Sequence, residues 1–415
     1  MKICFIVNEF FGWGKYGGFG SATRLIATGL AEKGVEVDVV TPIRPGQAPV
    51  ERDGRLTIRG FRPWSMRDQI NACRASDAEI YHSEDASVGT LLCQHALPKR
   101  RHVVTCQDPR TWRDWWIEVS CYLAERRYKS LLTWPYEDNP LIWRAVQKAD
   151  AVFSEAKHIV PKGQKKYRLK VAPQFLPNPV PLPEGPVVKA DRPTVCFVGR
   201  FDKRKRPERF FELARSRPDV HFIAVGAANS ARIDQSLRQR HGAIANLELT
   251  GFLDRFSSPR FAEILARSWV LVNTAAREGL PVTFLEAASY RCAILSQVNP
   301  DDFASRFGYH AEVGDFEAGL DALLNGDRWQ ARGESAYDYV RTTHALEVVI
   351  EMHLEAYRAL LGGSSASRGA VAGRASYRSL AATKPSLGCE RDFGPDRRKG
   401  RSESPGSPLL SSVKR

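Results

Sequence analysis

The chain has 415 residues and a mass of 46.5 kDa, with 43% apolar and 26% charged residues, which suits two globular domains and excludes a single small core. Lysine and arginine exceed aspartate and glutamate by 14, but the last 54 residues alone carry eleven basic and four acidic side chains. The surplus left to the body favours phosphate-bearing ligands or an anionic membrane surface and is too diffuse for a dedicated nucleic-acid binder, and no apolar run reaches the length of about 18 residues that a membrane-spanning helix needs.

The chain opens with one lysine and a short apolar run, read as a first β-strand at 3–7 rather than a secretory signal. Further strand-like runs fall at 35–41, 80–82, 103–106 and 151–154, separated by helical patterns. A second series follows at 194–198, 221–225, 247–250, 270–273 and 293–296. Strands alternating with helices predict an α/β chain of two Rossmann-like domains with parallel sheets. Prolines at 177, 179, 181, 183, 186 and 193 preclude regular structure between them. The expected organisation is therefore a first domain at 1–176, a linker at 177–193 and a second domain at 194–345. At 346–361, Leu346, Val349, Ile350, His353, Leu354, Tyr357 and Leu361 form the stripe of an amphipathic helix. From 362 to 415 the chain is rich in Gly, Ser and Pro, and a disordered basic tail is expected. The eight cysteines are scattered without a Cys-x-x-Cys pair, which suggests small buried hydrophobes in a reducing compartment and no structural metal.

The first glycine-rich loop has two readings. Gly12, Gly14 and Gly17 satisfy the G-x-G-x-x-G dinucleotide fingerprint, but the second strand ends in Val40-Thr41-Pro42, without the acid that holds ribose hydroxyls. Gly17-Gly18-Phe19-Gly20, directly before a helix at 21–33, is the better candidate for amides facing a phosphate or sugar, with Ser21 as its cap. In the second half, Gly199 permits a sharp turn after a buried strand. Arg200 and Lys205 then project from a strand's carboxyl end, where a diphosphate suits guanidinium and ammonium groups. The run from Arg277 to Ala287 places Pro281 at the start of a helix, the amides of Gly279 and Leu280 beside it, and Glu278 and Glu286 eight residues apart. Ionised carboxylates at such a site accept sugar or ribose hydroxyls.

The double-glycine loop, the Gly-Arg-x-x-x-x-Lys stretch and the Glu-x(7)-Glu helix, in this order across residues 1–361, resemble glycosyltransferase family four. The resemblance implies a GT-B fold, two facing Rossmann-like lobes with the donor in the cleft, and retaining, metal-independent sugar transfer from a nucleoside diphosphate sugar without a further cofactor. It implies that Arg200 and Lys205 hold the leaving diphosphate, Glu286 the ribose hydroxyls, and Glu278, Gly279, Leu280 and Pro281 the sugar and phosphate. Gly17, Gly18 and Gly199 would approach the donor from the two lobes. It also implies that the helix at 346–361 crosses back to the first lobe. Where family members often carry a catalytic His, this chain has Gln107, which is no base; Asp108 and His82 are the substitutes considered, beside the leaving diphosphate itself.

Five tryptophans fall at 112–143, interleaved with Arg113, Arg126, Arg127 and Lys129. They suit either a bilayer or glycolipid contact or an internal aromatic packing of the first lobe. The expected function is transfer from a UDP- or GDP-sugar to a sugar, lipid-linked or small-molecule acceptor, in surface polysaccharide, glycolipid or glycoconjugate synthesis. The expected location is cytoplasmic, peripheral on the inner membrane face, without specific nucleic acid. Two rival readings are a nicotinamide-dependent oxidoreductase and a non-catalytic sugar-nucleotide or membrane-binding module.

Overall fold

The computed structural model describes residues 1–14 and 17–362. The expected basic tail beyond Gly362 lies outside the described residues. The strands, in chain order, are β1 (Lys2–Ile6), β2 (Glu9–Phe10), β3 (Trp13–Gly14), β4 (Glu36–Pro42), β5 (Val50–Asp53), β6 (Leu56–Phe61), β7 (Ile80–Ser83), β8 (Arg101–Cys106), β9 (Ala151–Ser154) and β10 (Gln174–Phe175) in the first half. The second half has β11 (Thr194–Val198), β12 (His221–Val225), β13 (Leu247–Gly251), β14 (Val270–Asn273), β15 (Ala293–Ser296) and β16 (Gly308–His310). Five helices matter below: α1 (Gly18–Glu32), α2 (Trp112–Ala124), α3 (Val282–Ser289), α4 (Arg328–Thr343) and α5 (Leu346–Gly362).

Two sheets result. The first has eight strands in the order β10-β9-β8-β7-β1-β4-β6-β5, and the second has six in the order β13-β12-β11-β14-β15-β16. All their pairings are parallel except the β5–β6 hairpin at one edge. Central strands such as β1 and β14 are apolar at successive positions because helices cover both faces of a parallel sheet, and Ile3, Cys4, Phe5, Val270, Leu271 and Val272 are all buried. In each sheet the strand order reverses once, between β1 and β7 and between β11 and β14. A parallel sheet opens a crevice at the carboxyl end of such a reversal. Topology alone therefore directs attention to the loops after β1, β7, β11 and β14.

The segment between β10 and β11 has no helix or strand, as its prolines require. It is nevertheless fastened: Val180 bridges to Ala345, and Trp269 donates its indole N–H to the Ala190 carbonyl at 2.8 Å. Helix α5 buries Ile350, Leu354, Tyr357 and Leu360 in the same cluster as Ile3, Phe5, Ile26 and Leu30, so the chain's last described helix completes the core of the first lobe.

Two local expectations are corrected. Gly12, at φ +96°, turns the β2–β3 hairpin, and Gly14 lies in β3. Among the described residues, only Gly17 of the three fingerprint glycines adjoins a helix, whereas a dinucleotide loop needs its first glycine between strand and helix. Ser21 does not cap α1. Gly17 is the cap residue, and the Ser21 hydroxyl donates back to the Gly17 carbonyl at 3.1 Å from within the helix.

Candidate functional site

The loops at the two reversals face one another. Gly18, at the start of α1, leaves room for a Cβ 3.4 Å from the Cβ of Val282 at the start of α3. Gly17 is tighter: a Cβ there would overlap the Glu9 carboxylate. After β11, the Gly199 amide donates to Val225 at 3.0 Å. Gly226, at φ +151°, admits the Gly199 carbonyl where any side chain would collide. The chain then turns at Asp202, whose Oδ1 accepts the Lys205 amide at 2.9 Å, while the Thr274 hydroxyl donates to the Lys205 carbonyl at 2.7 Å. These bonds direct the Lys205 side chain onto Glu278, with which it forms a largely buried ion pair. Arg200 stays exposed and pairs with Asp202 at 3.3 Å.

At the far end of the motif, Glu286 lies in α3 with its Oε1 paired to Arg255 from the loop after β13. Its Oε2 is buried without a hydrogen-bond partner. Burial pushes the Glu286 carboxyl above its ordinary range, and Arg255 opposes that rise. Lys205, Glu278 and Glu286 thus lie along one wall of the second lobe, with Gly18 opposite the start of α3. Arg255 was not identified in the sequence, because its partner is 31 residues away in another element.

The amide of Leu280 differs from expectation. It donates at 3.1 Å to Oε1 of Glu155, from the loop after β9, instead of being open to a ligand. Oε2 of Glu155 accepts from Asn178 at 2.7 Å, and Asn178 donates to Gln107 at 3.1 Å. Gln107 in turn donates at 2.9 Å to Glu84. A buried polar chain therefore runs from Glu84 to the start of α3. Gly279 belongs to this contact, since a Cβ there would lie 3.0 Å from the Gln107 carbonyl. Pro281 is the cap residue of α3 and Val282 its first.

Of the two substitutes for a catalytic His, His82 is overturned. It is completely buried, with one ring nitrogen 2.6 Å from the Tyr357 hydroxyl and the other 2.7 Å from the Thr105 hydroxyl. Burial and then the neighbouring His353 hold its pKa well below the ordinary value, so it ties α5 to the sheet and takes no proton from an acceptor. Asp108 pairs with Arg277 and lies 3.5 Å from Lys162. Although burial opposes it, Arg277, Arg110 and Lys162 together hold its pKa down, which makes it a weak base. The neighbouring Glu84 and Asp85, unremarked in the sequence, are each pushed by burial to about 7. Asp85, Asp108, Arg110 and Glu137 line a cavity of about 20 Å³. His82, Glu84 and His353 form the metal-capable cluster found among the described residues, but both nitrogens of His82 are already engaged.

Arg277, next to Glu278, crosses to the first lobe. It is 5% exposed and pairs with Asp108, with Asp114 at 3.3 Å and with Glu118 at 2.7 Å, while Arg204 reaches Glu118 at 3.3 Å. Helix α2 also divides the tryptophans. Trp115 is buried and stacked on Trp134 at 5.7 Å, and the indoles of Trp115 and Trp143 both donate to Asp138 at 2.7 Å. Trp112 and Trp116 are 66% and 58% exposed. The internal aromatic packing expected for this region is thus found at Trp115 with Trp134, while Trp112 and Trp116 face outward.

Two family models match the chain, one on each lobe. Residues 183–304 match glycosyl transferases group 1, and residues 2–120 match the starch synthase catalytic domain. No curated protein matches at a significant level. Among solved structures, sucrose-phosphate synthase from Thermosynechococcus elongatus superposes with a TM-score of 0.70 at 16% identity, over 88% of this chain and 100% of that one. WaaG, a glycosyltransferase involved in lipopolysaccharide biosynthesis, gives 0.61 at 16% identity, over 87% and 100%. HepE from Anabaena, in complex with UDP and glucose, gives 0.62 at 12% identity, over 86% and 99%. The fold is the GT-B fold of glycosyltransferases, and each lobe matches a glycosyltransferase model in its own right.

Proposed function

We propose that the protein is a retaining glycosyltransferase of family four that moves a sugar from a UDP- or GDP-sugar to an acceptor hydroxyl. The observation that carries this reading is the pair of ion pairs along one wall, Lys205–Glu278 and Arg255–Glu286, with Gly18 facing the start of α3. In the proposed complex, Arg200 and Lys205 take the diphosphate, Glu278 turns from Lys205 to the sugar hydroxyls, and Glu286 accepts from the ribose. Gly17, Gly18 and Gly199 let backbone approach the donor.

The bond from the sugar's anomeric carbon to the diphosphate oxygen breaks, and the acceptor oxygen bonds to the same face of that carbon. The acceptor's proton passes to the departing diphosphate oxygen. Developing charge on the diphosphate is met by Arg200 and Lys205, so the reading needs no metal and no cofactor beyond the donor. The HepE structure with UDP supports testing the uridine series first.

In this reading the acceptor lies in the first lobe and is a sugar, lipid-linked or small molecule, within polysaccharide, glycolipid or glycoconjugate synthesis. A cytoplasmic enzyme in peripheral contact with an anionic membrane fits helix α2 and the residues after it. Their acids Asp114, Glu118, Glu125, Glu137 and Asp138 are engaged in internal bonds, whereas Trp112, Trp116, Leu123, Tyr128 and Leu132 are exposed beside Arg126 and Arg127. No described helix is long and apolar enough to cross a membrane.

Calorimetry with UDP, GDP, ADP, their sugars and NAD(P) tests the proposal. One nucleoside diphosphate series should bind, and Lys205→Ala or Arg200→Ala should weaken it by roughly 1.5–3 kcal/mol, the loss of a charge-assisted bond. Binding of a nicotinamide cofactor alone, or of nothing, overturns it.

A further inference from the structure

Arg255 lies in a loop held rigid by its neighbour. Asp254 accepts the Phe256 amide on its Oδ1 at 2.8 Å, and its carbonyl accepts the amides of Ser257 at 3.3 Å and Ser258 at 2.8 Å. From this turn the Arg255 guanidinium reaches Glu286 and stands 5.8 Å from the ring of Phe11, which comes from the hairpin of the first lobe. Phe11 also meets Phe256 at 5.0 Å, and the Arg24 guanidinium covers Phe256 at 4.4 Å. Arg255 therefore sits between Glu286 and the opposite lobe.

A buried carboxylate oxygen without a partner is costly and calls for a ligand. Glu286 has one such oxygen, Oε2, while Oε1 is taken by Arg255. We propose that Arg255 is a positioning residue for donor recognition: it fixes Glu286 through Oε1 so that Oε2 alone is presented to the ribose of a nucleoside diphosphate, which enters by parting the Phe11–Phe256 seam. The inference rests on the reading of Glu286 as the ribose acceptor. With one oxygen committed, recognition depends on a hydroxyl meeting a single fixed acceptor, so loss of a ribose hydroxyl is strongly felt. Arg255 thereby sets discrimination between ribose and deoxyribose without touching the sugar itself.

The test is calorimetry with the nucleoside diphosphate that the wild-type chain binds among UDP, GDP and ADP, and with its 2′-deoxy and 3′-deoxy counterparts. Arg255→Met should lower ribonucleotide affinity about tenfold and bring the ribo-to-deoxy preference towards one. Arg255→Lys should keep most of both. The double variant with Glu286→Gln should bind no more weakly than Glu286→Gln alone, because the two residues act as one unit. Melting curves separate loss of fold from loss of recognition. Arg255→Gln, smaller in its perturbation, carries the test where the Met variant unfolds. Unchanged affinity and preference in the Met and Gln variants, with both lost in Glu286→Gln, overturn the role of Arg255 and leave Glu286 as the ribose acceptor. Unchanged binding in Glu286→Gln overturns the reading of Glu286 and this inference with it.

Discussion

At the scale of single residues, the first lobe holds two kinds of buried carboxylate with opposite consequences for stability. Glu84 has its pKa raised by burial from an ordinary 4.5 to about 7. Between those values the unfolded chain binds fewer protons than the folded one, so this group makes stability fall as pH rises through that window and flattens it above. Glu84→Gln keeps an acceptor for Gln107 and removes the ionisation. It should flatten the pH profile and stabilise the protein at pH ~8 by up to about 3 kcal/mol. Denaturant titrations near pH 5 and 8 check this, and an unchanged difference between the two pH values would contradict it. Glu118 behaves the other way: against the cost of burial, Arg204, Arg110 and Arg277 hold its pKa down. Its stabilisation is present above the ordinary carboxylate pKa and is lost as pH falls through the lowered value. Arg277→Met strips one cation from Asp108, Asp114 and Glu118 together and should cost about 3 kcal/mol, since Lys162, Arg110 and Arg204 remain. Urea unfolding measures it, and a loss within 0.5 kcal/mol, the scale of ordinary surface substitutions, would contradict the assignment. The sequence displayed Lys205, Glu278 and Glu286 because their motifs are local in the chain. Glu155 and Arg255 were hidden because their partners lie 125 and 31 residues away.

At the scale of elements, burial on both faces accounts for which strands were legible. The runs at 194–198, 221–225, 270–273 and 293–296 are apolar but for one terminal residue each and coincide with β11, β12, β14 and β15. Strand β6, Leu-Thr-Ile-Arg-Gly-Phe, carries Arg59, held by its ion pair to buried Asp38 at 2.6 Å, and Gly60, where a Cβ would overlap Ile43; both break its apolar pattern, and its partner β5 is mostly solvent-facing. The two-residue β10 and three-residue β16 are too short for any period. The stripe at 346–361 was legible as a helix, because every third or fourth side chain of α5 enters the core. Helix α4 supplies a prediction. Gly333 lies inside it where a Cβ would overlap the Arg291 carbonyl. Alanine normally gains about 1 kcal/mol over glycine in a helix, but forced overpacking costs about 1–3. Because the obstacle here is backbone, the clash should dominate, and Gly333→Ala should lower the melting temperature. A rise would show that α4 shifts freely away from the turn between α3 and β15.

At the scale of the whole molecule, polar bonds join the two lobes as well as the shared core. Arg277 meets the acids of α2, and the Leu280 amide meets Glu155. Asp301 of the second lobe accepts the amides of Lys157 and His158 at 2.9 and 2.6 Å and lies 2.7 Å from the His158 ring. Removing Arg277 and Asp301 together, as Arg277→Met with Asp301→Ala, should loosen the lobes while each keeps its sheet. Small-angle scattering should then show a larger radius of gyration than the wild type, with unchanged circular dichroism. Identical scattering profiles would assign these bonds to local stability alone.

The sequence by itself determined the two-sheet α/β architecture, the unstructured connector and the three motif positions. Each depends on side chains close in the chain: a buried apolar run, a proline series, or residues within one turn and the helix it begins. Tertiary structure alone decided that His82 is sealed in the core, that the Leu280 amide faces Glu155, and that Arg255 holds Glu286. Those facts depend on which distant segments meet at the carboxyl ends of two sheets. No local period or spacing encodes that meeting, because it follows from the order of strands in each sheet and the approach of one lobe to the other.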